Sequence, residues 1–194
     1  MTVSLSKGQS VSLKKKNAFF SDININLKWN MKKAGFFGLG KSAAVDLDLG
    51  CLYELGNGQK GAVQALGNAF GSLHDEPYVR LNGDDRSGSN TEGETMIVSG
   101  QNWDKINRVL VYSFIYQGVA KWSEADGVIH LRTDSEHLEV KLDESQNGVI
   151  MCAIAMLENI NGELKVTKLN QYFAGHKEMD QAHGWGMNWT TGSK

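Results

Sequence analysis

The residues of this chain best suited to chemistry are acids. The segment Asn82-Gly83-Asp84-Asp85-Arg86-Ser87-Gly88-Ser89-Asn90-Thr91-Glu92-Gly93-Glu94 holds four carboxylates and one cation between regularly placed glycines. Such a composition makes a turn, not a core. Acids crowded without counter-charges repel one another, and a bound hard cation with oxygen ligands removes that repulsion. A second acidic pair lies in Val45-Asp46-Leu47-Asp48-Leu49. Strict alternation there places the apolar residues on one face of a strand and both aspartates on the other. The two carboxylates stand roughly 6.5 to 7 Å apart along such a strand, close enough to serve one metal site or two adjacent ones. The alternative is a solvated acidic turn with no ion.

Three other groupings invite chemical readings. Gly35-Phe36-Phe37-Gly38-Leu39-Gly40-Lys41-Ser42 satisfies the phosphate-binding P-loop pattern, but that mechanism needs a helix directly after the lysine. Here Ala43-Ala44-Val45 leads into the Asp46 strand, so the segment reads as an apolar glycine-rich loop. Asp46 and Asp84 could act as acid and base in a sugar-cleaving sandwich, although the tryptophans that would form a sugar platform lie mostly elsewhere in the sequence. In the C-terminal segment His176, Asp180 and His183 share a face at helical spacing, a candidate transition-metal set. Trp185 and Trp189 beside them read as a cover packed over a sheet edge.

The chain has 194 residues, 41% of them hydrophobic and 22% charged, with 22 glycines and a single proline, Pro77. That is enough material for one sizeable core, and one domain over residues 1–194 is expected. There is no signal-peptide layout and no apolar run long enough to span a bilayer, so a cytoplasmic protein is expected. Cys51 and Cys152 each sit in an apolar run and read as buried free thiols. Charge is uneven: residues 1–41 carry eight lysines and one acid, against a net charge of −2 for the whole chain. A basic arm could meet nucleic acid or an anionic membrane. Lys14 to Lys16 and Lys32 to Lys33 read better as solvated strand ends, and no nucleic-acid partner is expected.

The elements that must position the acids are strands. Val3 to Lys16 reads as a hairpin around Lys7-Gly8-Gln9, and Ile23 to Trp29 alternates without a miss. The Asp46 strand runs to Leu55, Gly56-Asn57-Gly58 turns, and 61–66 supplies another strand. Tyr78 to Leu81 enters the acidic loop and Thr95 to Val98 leaves it. Strands on both sides rule out a helix-flanked EF-hand, whose spacing would also put Arg86 at a ligand position. Arg108 to Tyr116 is apolar on both faces and predicts a central strand. A helical turn is expected over 121–126. Hairpins are expected over 128–142 and 149–173, the second tipped by Asn161-Gly162. The last segment is the one expected helix. Many short strands with little helix predict an all-β, two-sheet antiparallel sandwich.

These residues resemble the TerD/TerA group of bacterial tellurium-resistance and stress-response proteins, the TerA-like branch in particular. The likeness rests on Val45 to Leu49, on Leu81-Asn82-Gly83-Asp84-Asp85-Arg86-Ser87-Gly88, on Trp103 to Tyr116, and on the closing Gly175-His176, Met179-Asp180 and Gly184-Trp185-Gly186. The resemblance implies a calcium-binding, non-catalytic sandwich that takes part in tellurite stress as a structural or adaptor module. Its partners would be other tellurium-resistance proteins, in a membrane-associated complex. Carried over, Asp46 and Asp48 match the family's strand aspartates, and Asp84 and Asp85 match its Gly-Asp-Asp/Asn loop. With Glu94 they form the expected calcium ligands, with loop carbonyls and water completing about 6 to 8 oxygens. Asp85 would serve a second ion or point outward. The run Asn90 to Glu94 is less acidic than in the TerD branch, which leaves a second calcium site fewer ligands.

Overall fold

Alternation of apolar and polar residues at a period of two sorts the chain into strands, and two stacked sheets bury the apolar sets. The computed structural model describes residues 2–3, 5–14, 20–29, 45–83, 93–117, 122–134, 136–142 and 148–192. In chain order the first strands are β1 (Thr2–Val3), β2 (Ser10–Leu13), β3 (Ile23–Lys28), β4 (Asp46–Leu55), β5 (Lys60–Val63), β6 (Gly71–Ser72), β7 (Val79–Asn82) and β8 (Glu94–Val98). Then come β9 (Ile106–Gln117), helix α1 (Trp122–Ala125), β10 (Gly127–Arg132), β11 (His137–Leu142), β12 (Met151–Ile160), β13 (Glu163–Phe173) and helix α2 (His176–His183).

One sheet has seven strands in the order β1-β11-β10-β3-β8-β7-β6, and the other six in the order β2-β13-β12-β9-β4-β5. The sequence expectation of an all-β antiparallel sandwich holds, with one parallel pairing among the described residues, β1 on β11. Leu47, Leu49, Val109, Val111 and Leu157 from the six-stranded sheet meet Ile23, Ile25, Leu27, Met96 and Ile129 from the other in the main core. The expected central strand is β9, flanked by β12 and β4. The expected hairpins β10–β11 and β12–β13 form. At the second, Asn161 and Gly162 take φ of 54° and 85°, the left-handed pair that a two-residue hairpin turn requires. Cys51 and Cys152 are buried free thiols, and burial pushes the Cys51 thiol up to about 12.

Three expectations are corrected. The strands of the first segment do not form a hairpin: β1 joins the seven-stranded sheet and β2 the six-stranded one. The turn at Gly8 is held by β13 instead, through Gly8 N–H to Lys168 O at 2.8 Å and Lys168 N–H to Gln9 O at 3.0 Å. The strand expected over 61–66 is β5, which ends at Val63. A tight turn follows, because Gly67 and Asn68 adopt positive φ that no strand accepts. The P-loop-like segment Gly35 to Ser42 lies outside the described residues.

The third correction concerns the C-terminal segment, which covers a sheet face and not an edge. Leu52, Leu110, Tyr112, Phe114, Met151 and Ala153 form an apolar patch on the outside of the six-stranded sheet, and Met179 and Trp185 close over it. The strap is fastened by polar contacts. Arg108 donates to the carbonyls of His183 (3.2 Å) and Gly184 (3.3 Å), at the C-terminus of α2, and its guanidinium lies 3.8 Å from the centre of the Trp185 ring. Trp185 Nε1 donates to Tyr53 O and Lys60 Nζ to Trp185 O. The buried Asp180 carboxylate accepts from Gly186 N (2.6 Å), Met187 N (2.8 Å) and Trp189 Nε1 (2.7 Å). Hydrogen bonds to a buried charge are the stronger kind. Asp180→Ala is therefore expected to cost on the order of 3 kcal/mol in chemical denaturation and to open residues 184–192 to protease before the sheets unfold.

Candidate functional site

β4 is buried over its first seven residues: Leu47, Leu49 and Cys51 lie in the main core, and Leu52 on the other side packs under the C-terminal strap. Leu47 and Leu49 enter the core between the sheets, as alternation predicts. Asp46 and Asp48 take the opposite face, as expected, but that face is not open to water: Asp46 is 7% exposed and Asp48 0%. Gly50 follows on the same face, where a Cβ would run into the Tyr112 ring. Glycine there lets Tyr112 lie over the strand, with its hydroxyl donating to Gln64 Oε1 at 2.7 Å. The Tyr112 phenol is held well above its usual range by burial, with the charges of Cys51 and Asp48 adding to it.

Glu94 approaches from the other sheet. It opens β8 at the exit of the acidic loop, points inward and is 1% exposed. β5 pairs with β4 only over Cys51 to Glu54, so the preceding stretch of that strand needs other acceptors. Glu94 Oε2 provides one, taking the N–H of Leu49 at 2.7 Å. The backbone before Glu94 is tightly placed. Gly93 has φ of 69°, and a Cβ there would run into the carbonyl of Leu27. Asn26 Nδ2 donates to Glu94 O at 3.2 Å.

Three of the five expected ligands, Asp46, Asp48 and Glu94, are thus buried carboxylates around the first half of β4. Asp84 and Asp85 lie outside the described residues. The ends of their loop are set by the antiparallel pairing of Asn82 with Thr95, which satisfies the expectation that the loop joins two strands. Among the described residues no three His, Cys, Asp or Glu side chains converge enough to hold a metal ion, so Asp46, Asp48 and Glu94 do not make a complete site by themselves. Their chemistry, carboxylate oxygen throughout, fits a hard divalent cation.

The C-terminal trio does not form the transition-metal set that its spacing offers. Asp180 is turned to the strap amides, His176 Nε2 lies 3.0 Å from Gln64 Oε1, and the His183 ring packs edge-on against Phe173. His176 also sits 4.8 Å from the Trp189 ring and 5.2 Å from Phe114. Burial lowers its pKa from 6.5 to about 4. The links that sequence reading missed are the Leu49 amide under Glu94 and the glycine at position 93. Period-two patterning names faces, and neither an edge amide nor a backbone close approach leaves a mark in it.

Two outcomes follow from this geometry. Glu94→Ala strands the buried Leu49 N–H and is expected to cost about 1 to 3 kcal/mol in urea denaturation, while Glu94→Gln keeps an acceptor and loses less. His176 has a depressed folded pKa, so the unfolded chain binds its proton first. Its contribution is complete above about pH 6.5 and is lost as pH falls toward about 4. In a His176→Gln variant the stability curve is expected to be flatter in that window.

The TerD domain model matches residues 1–176. The chain is 48% identical over 199 aligned residues to the tellurium resistance protein TerA of an Alcaligenes species, covering 99% of this chain and 58% of that protein. It is 35% identical over 137 residues to the tellurium resistance protein TerX of Serratia marcescens, covering 61% of this chain and 64% of that protein. The chain thus spans less than two thirds of the length of either relative. Two crystal structures share the fold. One is a protein of unknown function, with a TM-score of 0.64, 16% identity and coverage of 87% of this chain and 99% of that one. The other is a homologue of the telluride resistance protein TerD from Streptomyces coelicolor A3(2), with a TM-score of 0.59, 15% identity and coverage of 83% and 95%. With the TerD domain running through both sheets and TerA-type sequence along nearly its whole length, the chain belongs to the TerD-domain family of tellurium resistance proteins.

Proposed function

We propose that this chain is a calcium-binding, non-catalytic module of the tellurite stress response, working in the cytoplasm as a calcium-dependent structural or adaptor unit. The observation that carries the reading is the burial of Asp46, Asp48 and Glu94, from two different sheets, around one stretch of β4. Buried carboxylates are costly unless donors or a cation compensate them. Asp84 and Asp85, in the loop that ends at Glu94, would add the further oxygens that calcium needs. A bound calcium would supply positive charge and tie the loop to the six-stranded sheet. Glu94 keeps the Leu49 amide satisfied and fixes the loop exit, whereas Asp46 and Asp48 bring charge to the mouth of the strand. The burial of Asp46 argues against its use as an acid or base on a sugar, which would have to reach it from solvent. As an adaptor the module would dock other tellurium-resistance proteins in a membrane-associated complex, with calcium setting the conformation of the loop.

Calorimetric titration of calcium into chelator-treated protein tests this directly. Asp46→Asn and Asp84→Asn are each expected to weaken binding at least about 10-fold, and saturating calcium to raise the melting temperature by mass action. Absence of both heat and thermal shift at millimolar calcium would falsify the proposal. Pull-down of tellurium-resistance proteins with and without chelator separates a calcium-gated adaptor from a passive calcium binder.

A further inference from the structure

The outer face of the seven-stranded sheet has a different chemistry from the acidic site. The strand residues that alternate outward on β3, β7, β8, β10 and β11 include four cations, Lys28, Arg80, Arg132 and Lys141, against one carboxylate, Glu139, among the described residues. This is a basic face on a chain whose net charge is −2. It is not flat. A cavity of about 330 Å³ is lined by Asn24, Asn26, Lys28, Thr95, His130 and Arg132, all polar and none acidic.

Strand register explains why these side chains meet. Asn26 pairs with Thr95 on one side and His130 on the other, so the three stand in a row across β8, β3 and β10. Asn24 pairs with Arg132 one step along, and Lys28 stands one step the other way. Asn26 Nδ2 donates to Thr95 Oγ1 at 3.1 Å, which leaves the threonine hydroxyl proton as a donor. His130 Nδ1 lies 3.0 Å from His137 Nε2, and Glu139 Oε2 is 3.9 Å from His130 Nδ1. When His137 gives the shared proton, His130 carries its own at Nε2, the nitrogen directed away from His137. Burial lowers the pKa of the His130 imidazole. His137, Arg132 and Lys28 push in the same direction, and Glu139 opposes them.

We propose that this cavity is a binding site for a small oxyanion, phosphate or tellurite in class, with Lys28 and Arg132 supplying charge and Thr95 and His130 supplying hydrogen bonds. Arginine and lysine together with neutral donors form the donor set that oxyanions select. The site does not rest on the calcium reading: it lies on the outer side of β8 and β3, and Thr95 alternates away from Glu94.

The test is an imidazole NMR titration of chelator-treated protein at pH 7, with inorganic phosphate in one arm, tellurite in another, and sodium chloride of matched ionic strength as control. Saturable movement of the His130 and His137 resonances is expected in at least one oxyanion arm, and the arm that saturates at lower concentration identifies the class. Bound anion should also raise the pKa of His130 relative to the chloride control. The double variant Lys28→Ser/Arg132→Ser alters two exposed side chains, so it should stay folded and weaken binding at least about 10-fold. The proposal is overturned if neither oxyanion moves His130 beyond the chloride control, or if the folded double variant binds as tightly as the parent chain.

Discussion

The constraint on which the rest of this molecule depends is that β4 is buried on both faces. A strand with a core on each side needs two apolar surfaces to cover it, and this chain provides the second from its own C-terminal segment. The strap over Leu52, Tyr112 and Phe114 is thus part of the fold. Its anchoring is polar as well as apolar: Arg108 holds the end of α2, and Asp180 gathers the amides that follow. The same strand carries Asp46 and Asp48, two carboxylates that lie out of water beside its leucines.

Burial changes what those acids do. In water the repulsion between closely spaced carboxylates is weakened by the dielectric. Inside, each needs donors or positive charge of its own. Glu94 meets the requirement in a way that also joins the two sheets, because its carboxylate takes the place that a neighbouring strand would occupy beside Leu49. The carboxylate therefore serves the backbone of one sheet while its main chain is built into the other. Gly93 makes this possible, since only a residue without Cβ passes so close to Leu27.

The two outer faces divide the work of the sandwich. That of the six-stranded sheet is apolar, strapped and closed, with aromatic rings of Tyr112, Phe114, His176 and Trp189 in contact. The other is polar, with Asn24, Asn26, Thr95 and His130 lined up by strand register and flanked by Lys28 and Arg132. A β-sandwich offers two such surfaces by construction, because alternate residues of every strand must face outward. Here one is used to stabilise the molecule and the other is left facing solvent.

Much of this was legible before any coordinates. The strands of β3, β4 and β9, the hairpins β10–β11 and β12–β13 and the left-handed turn at Asn161-Gly162 follow from alternation and turn chemistry, which are local properties. So does the separation of Asp46 and Asp48 from Leu47 and Leu49, since neighbouring residues of a strand point in opposite directions. Other features depend on what lies across space. The first segment looks like a hairpin, but the pairing of its turn with β13 sends β1 and β2 to different sheets. His176, Asp180 and His183 look like a metal set, yet the sheet beneath and the strap beyond pull each toward a different partner. Sequence alone determined the faces, turns and residue types, because these are written in neighbours a few positions apart. Only the tertiary structure decided which face is covered, which carboxylate reaches an orphan amide and which polar side chains share a cavity, because those outcomes depend on contacts between residues far apart in the chain.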